Sequence, residues 1–346
     1  TLALAPAAMA ERGSDGALNI IMWQAPSTMN PYLSGGTKEI IASSMTLEPL
    51  AGMTPDGEHY TRLAAEIPTL ENGGIAEDLK SVTWKLQDGL KWSDGSPVTA
   101  EDVVFTGQYC MDPEGGCSQL AKFEGIESIE AVDDLTVRIN FIDAMPDPYS
   151  AFVGSQSPIL QKAQFQNCLG ANAPTCTDQN FNPIGTGPFR FGEWTQGDHI
   201  TLEAFDGYWG EKPALRSATF RFISDPTAAF AAMMAGDVDA FPNFPAPETL
   251  PQLQADPRFK VMVGTTEGET MLSINNAKKP LDDVRVRKAI ALAIDRQAII
   301  NGAMFGYGTP IGSHFAPHHP DYVDLTGLSA HDPERARALL AEAGAT

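Results

Sequence analysis

The chain has 346 residues, of which 43% are apolar, so it is long enough to form about two domains with buried cores. Its 23 lysine and arginine residues are outnumbered by 44 aspartate and glutamate residues, and the formal net charge is -21. A negative charge of this size repels phosphate backbones and anionic headgroups, which argues against binding to nucleic acids or to membrane surfaces.

Residues 1–10 are uncharged and end in Ala8-Met9-Ala10, the small-residue pattern of a secretory cleavage site. We therefore predict that residues 1–10 are a signal-peptide remnant and that the mature protein, exported to the periplasm, begins at Glu11. A meaningless alanine-rich terminus is the alternative, because the basic region of a signal peptide is missing. No later stretch reaches the ~18 uninterrupted apolar residues of a membrane-spanning helix, so we expect a soluble product.

The first predicted strand is the apolar run 18–23, Leu-Asn-Ile-Ile-Met-Trp, and a loop over 24–31 follows it. A transition from strand to loop is where α/β sheets place their ligands. Residues 82–86 and 136–141 alternate between apolar and polar side chains, which predicts two further strands.

Residues 91–107 form the most informative run, Lys-Trp-Ser-Asp-Gly-Ser-Pro-Val-Thr-Ala-Glu-Asp-Val-Val-Phe-Thr-Gly. A turn at 93–97 leads to Thr99, whose hydroxyl can cap a helix, and Asp102 is the reciprocal partner of a capping box. We predict a helix over residues 100–111.

The four cysteines form two close pairs, Cys110 with Cys117 and Cys168 with Cys176, separated by six and seven residues. Loops of that size can bring two Cα atoms within disulfide range, and an exported protein meets an oxidising compartment. We predict one disulfide within each pair. A zinc site would need CxxC-like spacing or nearby histidine, and neither pair has it.

From residue 185 the pattern changes to three successive strands, predicted over 185–191, 199–205 and 218–223. A helix then begins at Asp225-Pro226, with aspartate as its N-cap, and ends at Gly236. Because strands follow one another before this helix, we predict a mixed sheet.

The last third of the chain starts with a short predicted strand over 270–274. One helix is predicted to begin at Asp282-Asp283, whose carboxylates suit the positive end of a helix, and to close at Asn301-Gly302. A final helix begins at Asp332-Pro333 and ends at Gly344.

Three segments together resemble the peptide/nickel class of extracytoplasmic solute-binding proteins, the receptors of ABC importers. The first is Trp84 to Gln108, which contains the run described above. The second extends from Gly185-Thr-Gly-Pro-Phe through Tyr-Trp-Gly to Gly-Asp-Val-Asp239. The third runs from Asn275-Asn276 through Lys-Pro-Leu-Asp-Asp-Val-Arg to Ile-Asp-Arg296. They span most of the chain.

The resemblance implies an α/β, periplasmic binding protein-like fold with mixed sheets and two lobes hinged around a buried ligand. Lobe I would comprise residues 11–49 and 182–267, with an extra subdomain, 50–181, inserted in it. Lobe II would begin at 268 and, over 268–346, remain incomplete, because similar family members continue well past the final helix. We therefore expect a fragment of a longer protein.

The resemblance also implies a receptor that captures a peptide or related small solute and delivers it to an ABC permease in the membrane. Related receptors bind nickel chelates, opines or oligosaccharides. We expect a monomer, with no catalysis, no cofactor, no metal and no nucleic acid. An exported hydrolase of peptides or glycosides is the alternative, because 44 carboxylates always allow some pair at glycosidase distance. A purely structural or interaction domain is a third possibility.

Ten ligand-binding residues follow from the resemblance: Gln24, Thr28, Met29, Asn30, Asn243, Phe244, Glu267, Glu269, Met271 and Ser273. Amide and hydroxyl groups can bind a peptide main chain, methionine adapts its shape, and a carboxylate can pair with an α-amino group. Plainer interpretations stay open: a turn ending at Asn30-Pro31, a rigid loop around Asn243, and exposed glutamates in an acidic chain.

Two further sets of residues have structural interpretations. The tryptophans of the shared motifs are Trp84, Trp92, Trp194 and Trp209. We assign them to folding, because tryptophan is more often part of a core than of a ligand wall. Three histidines raise the question of a metal: His314, His318 and His319. Pro317 and Pro320 prevent a helix there, which favours plain loop histidines.

Overall fold

The computed structural model describes residues 13–54, 56–244, 246–264, 266, 268–319 and 321–345. The predicted signal-peptide remnant, residues 1–10, lies outside the described residues. The chain divides into two compact units, Thr1–Asn243 and Phe244–Thr346, called here the first and the second unit.

The strands all lie in the first unit within the described residues: β1 Ala17–Met22, β2 Ala51–Met53, β3 His59–Thr61, β4 Ser81–Lys85, β5 Ile126–Asp133, β6 Thr136–Phe141, β7 Phe189–Thr195, β8 His199–Ala204 and β9 Ser217–Phe222. Its α-helices are α1 Thr37–Ser43, α2 Ala100–Met111, α3 Lys162–Phe165, α4 Thr177–Phe181 and α5 Pro226–Ala235. The second unit contributes α6 Leu250–Ala255, α7 Val284–Ala293, α8 Arg296–Ala303 and α9 Pro333–Ala343. Short 3-10 turns cover Leu120–Phe123, Gly170–Thr175, Pro247–Thr249 and Thr326–Ser329.

The first unit contains a four-stranded sheet in the order β1-β9-β8-β7. β1 is parallel to β9, and the other neighbours are antiparallel, so the sheet is mixed as predicted. Side chains along β8 alternate between the two faces of the sheet, which buries Ile200 and Leu202. These two pack with Met22, Met29 and Phe220 into one core.

Between β1 and β7 the chain builds a second, larger core around the three-stranded sheet β4-β6-β5 and the pair β2-β3. Trp84 and Trp92 are fully buried members of this core, as their structural interpretation predicts. Helix α2 occupies the predicted residues, because the Thr99 backbone N–H donates to Asp102 Oδ2 at 2.9 Å and closes the capping box. Asp102 also accepts the Lys162 backbone N–H at 2.9 Å, which ties α3 to the start of α2.

The Gly-Thr-Gly-Pro-Phe motif joins the two cores of the first unit. The Gly187 N–H donates to the Thr46 carbonyl at 2.8 Å, and the Gly185 carbonyl accepts the Ser93 N–H at 2.8 Å. A Cβ on Gly185 would overlap the Thr46 carbonyl oxygen, and one on Gly187 would lie 2.5 Å from the Met45 oxygen. Glycine is required at both positions because the backbone of residues 45 and 46 lies too close for a side chain. The strand predicted over 185–191 therefore begins only at Phe189.

A buried glutamate fixes the Tyr208-Trp209 part of the motifs to the same junction. The Tyr208 hydroxyl and the Trp209 Nε1–H donate to the two carboxylate oxygens of Glu48 at 2.9 and 3.0 Å. Burial raises the pKa of Glu48, although Arg62 and these donors act in the opposite direction. The motif tyrosine and tryptophan thus serve folding.

The second unit has a small core of Ala289, Ala336 and Leu339, where α7 packs on α9. The prediction of a single helix that closes at Asn301-Gly302 is wrong. Ile294 is extended, with φ -85° and ψ 117°, and the Asp295 side chain accepts the Ala298 N–H to start a new helix, α8. Helix α9 begins after Asp332 and ends at Gly344, as predicted.

The strand predicted over residues 270–274 is also wrong, because this segment is paired with no strand in the described part of the second unit. An apolar run forms a strand only where a neighbour takes up its backbone hydrogen bonds. Across the described residues, no helix combines the length and the apolar character needed to traverse a lipid bilayer.

We predict that Gly185→Ala lowers the free energy of unfolding by about 3 kcal/mol, because the new methyl group cannot fit against the Thr46 backbone. Gly35→Ala is the matched control, since its Cβ would lie 3.5 Å from Gln119 Nε2, an ordinary contact. Urea unfolding followed by circular dichroism measures both. Equal stability of the two variants would contradict the role of Gly185.

Candidate functional site

The loop after β1, residues 24–30, contains four of the predicted ligand residues. Gln24 is exposed, whereas Thr28, Met29 and Asn30 are buried, with 6%, 0% and 0% of their surface accessible. The loop therefore presents one predicted side chain to solvent and turns three into the first unit.

The polar atoms of the buried loop residues are already paired. Thr28 Oγ1 donates to the Asn180 carbonyl at 3.0 Å and accepts the Asn30 N–H at 3.0 Å. Asn30 Nδ2 donates to Tyr109 Oη and Asn180 Oδ1 at 3.0 and 2.9 Å, and its Oδ1 accepts the Tyr32 N–H. An asparagine amide has two N–H groups, and both are used.

These pairings hold Thr28, Met29 and Asn30 in the interior of the first unit. The Met29 N–H donates to the Asn180 carbonyl at 2.8 Å, and its side chain belongs to the core beneath the sheet. In this arrangement the three residues hold the loop in place, and their ligand role stays a prediction. A ligand role for Gln24 stays a prediction.

Glu39 in α1 anchors Ser27, in the middle of the same loop. Its Oε1 accepts the backbone N–H and the hydroxyl of Ser27 at 2.7 and 2.8 Å, and Lys38 Nζ lies 2.6 Å away. Burial alone would raise the pKa of Glu39, but the hydrogen bonds from Lys38 and Ser27 outweigh it and lower the pKa. Glu39 Oε2 is buried and has no hydrogen-bond partner among the described residues.

Asn180, Tyr109 and Glu39 were not found by sequence reasoning. Asn180 lies 150 residues from Asn30 along the chain, so no local pattern connects them. Burial raises the pKa of the Tyr109 phenol to about 12, so it remains a neutral hydroxyl that accepts from Asn30.

The predicted residues Asn243 and Phe244 lie on either side of the division between the two units. Asn243 is exposed and adopts a left-handed backbone, with φ 55°, a conformation that asparagine tolerates better than most residues. Phe244 is half-buried. Their ligand role stays a prediction.

The predicted second-unit residues lie in an extended segment. Met271 and Ser273 are exposed, and the half-buried Glu269 pairs with His314, its Oε1 lying 2.9 Å from His314 Nδ1. Glu267 lies outside the described residues. The structure brings Glu269 together with a histidine of the 314–319 loop, a contact that spacing did not indicate.

His319 of that loop makes local contacts. The ring of His319 stacks on Phe315 with centroids 4.4 Å apart, and its Nδ1 accepts the Asp321 N–H at 3.1 Å. Among the described residues, no group of three or more His, Cys, Asp or Glu side chains is arranged to hold a metal ion.

Both predicted disulfides are confirmed. Cys110 is joined to Cys117 with the Cα atoms 5.1 Å apart, and Cys168 to Cys176 with the Cα atoms 5.8 Å apart. Each bridge closes a short loop of the first unit. Cys110 and Cys168 belong to its larger core.

The family model of bacterial extracellular solute-binding proteins, family 5, matches residues 62–346. The chain belongs to this family. The predicted family is thereby confirmed, and the superposition described below confirms the predicted α/β, periplasmic binding protein-like fold with mixed sheets.

Among curated relatives, the dipeptide-binding protein of Escherichia coli K12 is 33% identical over 300 residues, which is 80% of this chain and 55% of the relative. The glutathione-binding protein GsiB of Pectobacterium atrosepticum is 32% identical over 320 residues, 92% of this chain and 59% of the relative. This chain thus spans little more than half the length of these relatives.

Among solved structures, the oligopeptide-binding protein AppA of Bacillus subtilis, in complex with a nonapeptide, superposes with a TM-score of 0.79 at 25% identity. The match covers 94% of this chain and 64% of AppA.

We predict that Glu39→Gln lowers the free energy of unfolding at pH 7 by about 2 kcal/mol, because hydrogen bonds to a charged group are lost. The folded-state pKa of Glu39 lies below its ordinary value of 4.5, so this contribution is present above that pH. It disappears as the pH falls through the folded-state pKa. Urea unfolding of both proteins at pH 7 and at successively lower pH measures the difference.

The exposed Glu71 provides the control, because Glu71→Gln changes the same charge at the surface. A stability difference for Glu39→Gln that stays constant across the pH series would contradict the assignment of a lowered pKa to Glu39.

Proposed function

We propose that this protein is the substrate-binding receptor of an ABC importer and that it captures a peptide or a related small solute. The observation that carries the proposal is the match to the solute-binding family over residues 62–346. The names of its relatives, a dipeptide-binding and a glutathione-binding protein, support a peptide-like ligand.

Several of the proposed ligand residues are exposed to solvent. Gln24, Asn243 and Ser273 are exposed and carry amide or hydroxyl groups that suit a peptide main chain. Met271, with 55% of its surface exposed, offers an adaptable apolar contact. Phe244, Glu267 and Glu269 complete the set, and the glutamates are suited to pairing with a ligand ammonium group.

The proposed mechanism is closure around the solute. We assign residues 11–49 and 182–267 to lobe I, 50–181 to its inserted subdomain, and 268–346 to lobe II. A solute that contacts both lobes stabilises the closed state over the open one by its differential affinity, and the closed state is the one that engages a permease. No covalent step is involved, and we expect the receptor to act as a monomer.

The proposed location is the periplasm. Two disulfides in the first unit suit an oxidising compartment, because cytosolic thiols are kept reduced. Periplasmic location also fits a family described as extracellular solute-binding proteins. A hydrolase, the alternative considered from sequence, is favoured by none of these observations.

The test is binding of a solute panel, containing dialanine, glutathione and a nickel–histidine chelate, to the 346-residue chain by titration calorimetry and native mass spectrometry. We expect one solute to bind per chain and to be recovered unchanged. Release of hydrolysis products would contradict the receptor function, and so would failure of every panel member and of a peptide library to bind.

For the peptide that binds, Glu269→Gln should weaken binding by about tenfold, because a charge-assisted hydrogen bond is lost. Glu334→Gln, in the exposed first turn of α9, is the matched control and should leave the affinity unchanged. Equal affinities of both variants would remove Glu269 from the site while leaving the receptor function intact.

A further inference from the structure

Asn180 makes three hydrogen bonds with the 24–30 loop. Its carbonyl accepts the Met29 N–H at 2.8 Å and the Thr28 hydroxyl at 3.0 Å, and its Oδ1 accepts Asn30 Nδ2 at 2.9 Å. With 3% of its surface exposed, Asn180 contacts three consecutive loop residues in the interior, where competing water is excluded.

The Cys168–Cys176 disulfide holds Asn180 itself. The Asn180 N–H donates to the Cys176 carbonyl at 2.9 Å, and its Nδ2 donates to the carbonyl of Ala173, inside the closed loop, at 2.8 Å. Backbone and side chain of Asn180 are thus both bonded to the segment that the bridge closes.

Residues next to the second disulfide are hydrogen-bonded to Asn30 at the end of the loop and to Tyr32 just after it. Tyr109, next to Cys110, accepts from Asn30, and Ser118, next to Cys117, donates its N–H to the Tyr32 carbonyl at 2.8 Å. Tyr109 and Ser118 flank the Cys110–Cys117 bridge, and Asn180 follows the Cys168–Cys176 bridge. All three are therefore hydrogen-bonded to residues within the range 28–32.

We propose that Asn180 is a positioning residue for ligand binding, and that the two disulfides, by holding Asn180, Tyr109 and Ser118, preorganise the loop that presents Gln24. The proposal rests on the receptor function proposed above. A loop that is already ordered loses less conformational freedom when a ligand binds, so its anchors contribute to affinity without touching the ligand.

The first test is Asn180→Ala, with Asn172→Ala as the control. Asn172 is exposed and lies in the same disulfide-closed loop. We expect faster amide hydrogen exchange in residues 24–33 of Asn180→Ala, unchanged exchange in β8 and β9, and a loss of dialanine or glutathione affinity of about tenfold. Asn172→Ala should match the unmodified chain.

A uniform rise in exchange across β8, β9 and the loop would overturn the proposal, because it would show a general structural role. Faster loop exchange with unchanged affinity would overturn it as well. The exchange measurement needs no ligand, so a chain that binds no solute refutes the receptor function while loop anchoring is still measured.

Two further variants apply where Asn180→Ala does not fold. Thr28→Val removes the hydrogen bond to the Asn180 carbonyl and the one from the Asn30 N–H while it retains the side-chain shape, and Cys168→Ala/Cys176→Ala opens the bridge. We expect the same local rise in exchange over residues 24–33 from either variant. Protection of these amides equal to that of the unmodified chain would overturn the proposal.

Discussion

The backbone contact between Gly187 and Thr46 is the constraint on which the first unit depends. Its hydrogen bond, at 2.8 Å, joins Thr46, which follows α1, to the segment before β7, and the neighbouring Gly185 carbonyl accepts the N–H of Ser93, which precedes α2. Because no side chain lies between them, the two backbone segments approach each other closely at this point. The Gly-Thr-Gly run therefore serves architecture.

Two buried glutamates show how a chain with net charge -21 keeps carboxylates in its interior. Glu39 has a lysine and a serine as partners, which favours its ionised form and lowers its pKa. Glu48 has a tyrosine and a tryptophan as donors at hydrogen-bond distance, with Arg62 farther away, at 3.8 Å, and burial prevails, raising its pKa. The two therefore differ in their roles: Glu39 carries charge beneath a loop, and Glu48 accepts hydrogen bonds from Tyr208 and Trp209.

Sequence reasoning succeeded where the determining interaction is local. The capping box at Thr99, the Asp225 cap and the closely spaced cysteine pairs all act within a few residues, and each was predicted correctly. Sequence reasoning could not find distant partners: Thr28 and Asn30 have the polar side chains of a binding loop, and Asn180, far along the chain, takes up their hydrogen bonds. The break before α8 is a different failure, because Asp295 is a local N-cap signal that apolar periodicity concealed.

The position of the disulfides connects stability with recognition. Short closed loops restrict the unfolded chain only modestly, so global stability is a weak reason to have a bridge at Cys168–Cys176. The hydrogen bonds near the bridge are a stronger reason. Asn180 is hydrogen-bonded to the segment that the bridge closes, and three loop residues are hydrogen-bonded to Asn180. A loop after a β-strand is ordinarily among the more mobile parts of a protein. Here, burial of Thr28, Met29 and Asn30 removes that mobility at the base of the loop, while Gln24 remains at the surface, where a solute can reach it.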